Sequence, residues 1–165
     1  MLLSACGPGV TQPESRAVAA LTRLLSVDQE LLATVQSTGA VIGEGIAPDA
    51  AAAAQKRQQL AEAVSQAYGE DFSQKGLTEL IDSGLAATCQ LLLFEKGAEL
   101  ALGSLQLNAL SDEGLYYEFT VALSCTDQEG SQELELRGYV YFNESGLIDK
   151  LLLNEDSPAW QWLWP

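Results

Sequence analysis

Through the first half of the chain, apolar residues recur every three to four positions, and from Leu85 onward they tend to alternate. Ala17/Val18, Leu21 and Leu24/Leu25 predict an amphipathic helix over about Glu14–Leu25. Leu31, Leu32 and Val35 predict a second over about Val27–Ser37, stopped by Gly39. Its start has two candidate caps, a Ser26–Gln29 capping box or Asp28. Pro48-Asp49 opens the longest helix, which runs to Tyr68 and stops at Gly69. Its alanine run, Ala50–Ala54, favours helix, and Leu60, Val64 and Ala67/Tyr68 form its buried stripe. A fourth helix covers about Gln74–Ser83, with Leu77, Leu80 and Ile81 inward and Gly84 as its stop.

After Leu85 the alternation predicts five strands. They are about Ala86–Glu95, Glu99–Leu110 and Leu115–Cys125, a fourth carrying Leu134, Leu136, Val140 and Phe142, and a fifth over Leu147–Asn154. Lys96-Gly97, Ser111–Gly114, Asp127–Gly130 and Asn143–Gly146 are the turns. The apolar phase moves from Leu100/Leu102 to Leu105/Leu107 across Gly103-Ser104, the mark of a β-bulge. Helices followed by a meander define an α+β domain. The N-terminal helices pack on one face of a curved antiparallel sheet of about five strands, and the other face is left for water, a ligand or a partner. Residues 1–13 read as a leader remnant and tether, and residues 14–165 as one domain with a Trp-rich tail.

Charge narrows the function. Acidic residues number 23 against 8 basic ones, a net charge of −15, and Lys56-Arg57 is the one adjacent basic pair. Such a surface repels phosphate backbones, so no nucleic-acid partner is expected. The sequence has no histidine, which excludes Ser-His-Asp and Cys-His catalysis within this chain. Its three cysteines, Cys6, Cys89 and Cys125, lack CxxC spacing, so neither a metal site nor a cofactor is expected. No run of eighteen apolar residues marks a membrane-spanning helix. The glycine-rich "GAVIGEGIAP" (Gly39–Pro48) reads as a loop rather than a phosphate cradle. No clear strand precedes it, no lysine follows, and Glu44 repels phosphate.

At the N-terminus, Leu3-Ser4-Ala5-Cys6 resembles a bacterial lipobox, an aliphatic residue and two small ones before a cysteine. The resemblance implies that Cys6 becomes a lipidated mature N-terminus, anchoring the protein outside the cytoplasm. Gly7-Pro8-Gly9 and Thr11-Gln12 then form a short tether. The cationic start and longer apolar run of such a leader do not precede Cys6, so Met1 is expected to be an internal start. If Met1 is the true start, the expected compartment is the cytoplasm.

Two further stretches carry a fold-level likeness. "VYFNESGLIDKLLL" (Val140–Leu153) resembles the last hairpin of the cystatin-like, or nuclear transport factor two-like, fold, including its SnoaL-like branch. "LLSVDQELLATV" (Leu24–Val35) resembles its early helix–turn–helix. The likeness implies a cone with an apolar mouth, dimerisation through the sheet face and, in some relatives, an Asp base with a Tyr or acid donor. Tyr117 and Asp149 are the candidates for those roles. Tyr117 lies on the apolar face of its strand, and Asp149 shares parity with Leu147, Leu151 and Leu153. A buried Asp has the raised pKa that a base requires. The plainer reading makes Tyr117 core and Asp149 an exposed strand end.

Tyr116, Tyr139 and Tyr141 fall on the polar face beside Glu118, Thr120 and Arg137, and are interface or ligand candidates. Trp160, Trp162 and Trp164 would share one side of an extended tail and dock on an apolar surface of the chain, a partner or a membrane. Cys89 and Cys125 are read as strand residues in the core, and a disulfide needs their Cα atoms within about 7 Å. Three functions follow as expectations. The first is a non-enzymatic, surface-anchored module that binds a small apolar ligand or a protein partner. The others are a pocket enzyme resembling an isomerase or dehydratase, and a dimerising structural module.

Overall fold

A computed structural model describes residues 12–39 and 50–164. The Cys6 lipobox, most of the glycine-rich loop and the Asp49 cap lie outside the described residues. Five helices come first: α1 (Gln12–Leu24), α2 (Gln29–Thr38), α3 (Ala50–Tyr68), α4 (Gln74–Asp82) and α5 (Leu85–Lys96). Strands β1 (Glu99–Ala109), β2 (Tyr116–Asp127), β3 (Gly130–Phe142) and β4 (Ile148–Leu153) follow, and α6 (Pro158–Leu163) ends the chain.

Short polar side chains start the helices. Of the two candidate caps for α2, Asp28 is the one used: its carboxylate accepts the N–H groups of Glu30 and Leu31, each at 3.0 Å. Ser73 caps α4 by accepting the Gly76 N–H at 3.1 Å. Gly39, with φ of 61°, closes α2 in the left-handed region, as a C-terminal glycine does.

The sheet is a four-stranded antiparallel meander in the order β1-β2-β3-β4. The strand expected over Ala86–Glu95 is instead α5, which corrects the count from about five to four. A short apolar run fits either period, and here the tertiary setting decides. Residues of α5 pack against α2, α4, α1 and α6, so the helix buries several sides at once and shows no clean stripe. Glycines in the left-handed region bound it, Gly84 at φ 68° and Gly97 at φ 60°.

The inner face of the sheet stacks Phe119, Val121, Leu123 and Cys125 of β2 against Leu136, Val140 and Phe142 of β3, all buried under the helices. Gly138 leaves room there for Phe119, because a Cβ would lie 2.6 Å from its ring and 2.1 Å from the Leu152 carbonyl oxygen. The register of β1 on β2 shifts between Leu102 and Leu105, at the bulge that the apolar phase implied.

A second irregularity lies in β4 and overturns the inward reading of Asp149. Tyr141 pairs with Lys150 but Phe142 pairs with Ile148, so Asp149 is the extra residue at a bulge. The bulge breaks the parity: Ile148 takes the buried place and Asp149 turns aside.

The C-terminal tail is also corrected, since Trp160 and Trp162 lie in helix α6 and Trp164 caps its end, rather than all three sharing an extended strand. Pro158 starts it, as proline suits a first helical turn. Trp160 and Trp164 share a side, with ring centroids 6.2 Å apart, and Trp162 sits under the Lys96 ammonium at 4.5 Å. Ser157, fully buried, ties the tail to β3: its hydroxyl accepts the Arg137 N–H at 3.2 Å and donates to the Asn154 carbonyl.

Candidate functional site

The structure does not join Tyr117 and Asp149 into one site. Strand β3 lies between them, and the Tyr117 ring packs edge-on against Phe142 at 5.9 Å. Asp149 accepts the Ser73 hydroxyl at 2.5 Å and pairs with Lys75 at 3.7 Å. Its side chain is 23% exposed and serves the junction between β4 and α4. Among the described residues, no three acidic or cysteine side chains converge to hold a metal ion.

The outer sheet face carries Tyr116, Tyr139 and Tyr141. Cross-strand register sets Tyr116 opposite Tyr141, and their rings stack at 4.0 Å and 13°. Tyr139 leans on Tyr116 at 5.9 Å. The Tyr116 phenol is pushed up to about 12, first by its hydrogen-bonding neighbour Tyr141 and then by burial. Half-exposed Leu152 pairs with Tyr139, so this corner of the face is aromatic and apolar. Its far end, with Glu133 and Glu135, is acidic.

A polar cavity of about 410 Å³ opens between the α1–α2 turn and the end of α3, lined by Arg23, Asp28, Glu30, Gln66, Tyr68 and Glu70 among others. Its charges hold one another. Arg23 reaches Glu70 at 2.6 Å and Asp71 at 3.1 Å. Burial raises the Asp71 pKa, and the Arg23 charge opposes that rise. Below the cavity lies Gln90, fully buried in an otherwise apolar run of α5. Its side-chain oxygen accepts the Asp28 N–H at 2.8 Å and its amide donates to the Ser26 carbonyl at 2.9 Å. Gln90 thus pins the α1–α2 turn. The buried Tyr68 hydroxyl sits beside Gln90, without a hydrogen bond of good geometry. The Arg23 ion pairs and the Gln90 bonds hold the α1–α2 turn against the end of α3.

A second opening is of another kind. A groove of about 650 Å³ runs between the α1–α2 turn, the end of α5 and the start of β1. Leu25, Val27, Leu93, Phe94, Ala98 and Leu100 supply its apolar walls, with Ser26, Gln29 and Glu99 among its polar groups. Leu25, Leu93 and Ala98 are buried, whereas Phe94 stands 53% exposed. Phe94 thus stands half-exposed at the rim, beside buried aliphatics. The strand reading of Ala86–Glu95 concealed it, because only a helix brings Phe94 beside the α1–α2 turn.

Both described cysteines are free and buried, Cys89 in α5 and Cys125 in β2. Burial pushes the Cys89 thiol up to about 12 and the Cys125 thiol to about 11, the latter also through Glu133. Both are packing residues, as the core reading had it, though Cys89 belongs to a helix. No single described helix is long and apolar enough to cross a membrane. Compared with family models, curated proteins and solved structures, the chain finds no match.

Proposed function

We propose that this chain is a non-enzymatic binding module, tethered to a bacterial membrane through a lipid on Cys6. The module takes an apolar ligand or an apolar protein segment in the Phe94 groove. The observation that carries the reading is that groove: about 650 Å³, walled mainly by aliphatic side chains, with Phe94 53% exposed at its rim. The expected catalytic pair lies apart, and in the polar cavity Arg23 pairs with Glu70 and Asp71. The cystatin-like, or nuclear transport factor two-like, reading stays at the level of element order, helices and then an antiparallel meander, and it too suits a small binding domain.

Nile red, an uncharged apolar dye, tests the groove. Its fluorescence should rise and shift to the blue with the native chain, and Phe94→Glu should weaken that binding tenfold or more while leaving the circular dichroism unchanged. Equal binding by both chains overturns the assignment. The anchor is tested separately by detergent phase partitioning of the native protein. A wholly aqueous, unlipidated product overturns it.

A further inference from the structure

We infer that the polar cavity between the α1–α2 turn and the end of α3 is a binding site for a small alkylammonium ion, a primary amine on a short apolar stem. It stands independently of the Phe94 groove.

The charge of the cavity sets the sign of its ligand. Its walls carry three carboxylates, Asp28, Glu30 and Glu70, against the one guanidinium of Arg23. Arg23 is already held, by Glu70 at 2.6 Å and by Asp71 at 3.1 Å. Two carboxylates remain at the start of α2. Asp28 gives its Oδ1 to the Glu30 and Leu31 N–H groups, and no described residue bonds to its Oδ2. The Glu30 carboxylate receives the Gln66 amide at a long 3.4 Å. A chain of net charge −15 draws cations toward such a pocket.

Tyr68 points to a ligand independently of that charge. It is 1% exposed and lines the cavity, yet its hydroxyl makes no hydrogen bond of good geometry to a described residue. Gln90 beside it has both ends committed to the α1–α2 turn, at the Asp28 N–H and the Ser26 carbonyl. The ion-forming neighbours that act on the hydroxyl include Asp28 and Arg23, both cavity walls, which places it toward the cavity. A buried hydroxyl without a partner is costly, and an ammonium N–H donating to its oxygen relieves that cost.

Between the polar groups, Leu31, Ala63 and Ala67 give an apolar wall for the methylenes of a short stem. The acidic groups are spread around the walls, and among the described residues no three gather at one point. An ammonium reaches separate acceptors with its three N–H donors and matches that spread. A bare metal ion needs its ligands gathered around it.

Isothermal titration calorimetry of the full chain with butylamine, protonated at neutral pH, tests the site. The heats should saturate at one amine per chain, and butanol, with the same stem and no charge, should give none. Asp28→Asn keeps a capping oxygen and loses the charge, and Glu30→Gln loses a charge at an exposed position. Each should weaken the amine about tenfold. Tyr68→Phe removes the hydroxyl alone and should weaken it about threefold. The same variant should leave the urea midpoint of the free chain unchanged or higher, because the hydroxyl has no partner to lose. Should Asp28→Asn fail to fold, Glu30→Gln and Tyr68→Phe carry the test. An absence of saturable heat overturns the proposal, and so does butanol binding as tightly as the amine. Amine binding that all the variants leave intact is diffuse attraction to an acidic surface, and overturns it as well. A lowered midpoint in free Tyr68→Phe shows a hydroxyl already partnered within the fold, and overturns the role of Tyr68 on which the site rests.

Discussion

At one edge of the sheet, the six-residue strand β4 is covered at its first residue, Ile148. The Ile148 carbonyl accepts the Ser73 N–H at 3.0 Å, and the Ile148 N–H donates to the Asp71 carbonyl at 2.9 Å. Phe72 bridges Ile148 in parallel, like a fragment of a fifth strand, and α4 lies alongside. The bulge at Asp149 and the charge of Lys150 further spoil that edge for a new strand. At the other edge, the 11 residues of β1 carry no lysine, no arginine and no proline, and no described segment pairs with them. The difference follows from connectivity. The α3–α4 link passes the start of β4 and bonds to it, whereas α5 reaches β1 through Gly97 and Ala98, and no described segment bonds to the outer edge of β1. The contacts of Ile148 tie one edge to the helices, and the other edge is left unpaired among the described residues.

The sharpest way to break this contrast is Gly76→Ala. A Cβ there would lie 2.1 Å from the Ile148 carbonyl oxygen and 3.0 Å from the Phe72 ring, so α4 has to lift off β4. The expected loss is about 3 kcal/mol, read as a lower urea midpoint at unchanged slope. Ser73→Ala removes the α4 cap and the Asp149 contact together, and should cost about 1–2 kcal/mol in the same assay.

Alkaline pH probes the layer between the two edges. Both thiols have pKa values raised by burial, so the folded chain holds their protons where the unfolded chain releases them. Their contribution is complete below about 8.5, the ordinary thiol value, and is lost as pH rises toward about 11 for Cys125 and about 12 for Cys89. Urea midpoints taken across that window should fall, and the fall should be shallower in Cys89→Ala. Cys125 pairs with Leu100 on the open edge strand, so thiol labelling under native conditions should reach it before Cys89. The smallest effect on stability is expected from Ala101→Lys, at an exposed position of β1. It should stay within about 0.5 kcal/mol of the parent in the same urea assay.

Much of this frame was legible in the residue pattern. The first four helices, the β1 bulge at Gly103-Ser104 and the Asn143–Gly146 hairpin each carry their own local signal, a stripe, a phase slip or a glycine. The hairpin shows it well: the Asn143 N–H donates to the Leu147 carbonyl at 2.8 Å, and Gly146 holds φ at 75°. Three features carried no such signal. Leu85–Lys96 is apolar on several sides, so its period does not separate helix from strand. The bulge at Asp149 has no glycine to announce it and flips the parity on which the inward reading stood. The tryptophans of α6 lie two apart, which looks like one face of an extended tail but spreads them around a helix. The candidate site suffered most from these, because Phe94 lies on the misread helix.

By itself the sequence determined the class of the molecule: helices leading an antiparallel meander, an acidic surface, and no histidine for base or metal chemistry. Spacing and composition act within a few residues, so they survive without knowledge of the fold. Only the tertiary structure decided which of two permitted conformations residues 85–96 take, which edge of the sheet is closed, and where an apolar groove remains. Those outcomes depend on contacts between segments far apart in the chain, where burial against a neighbour outweighs the small differences in local preference.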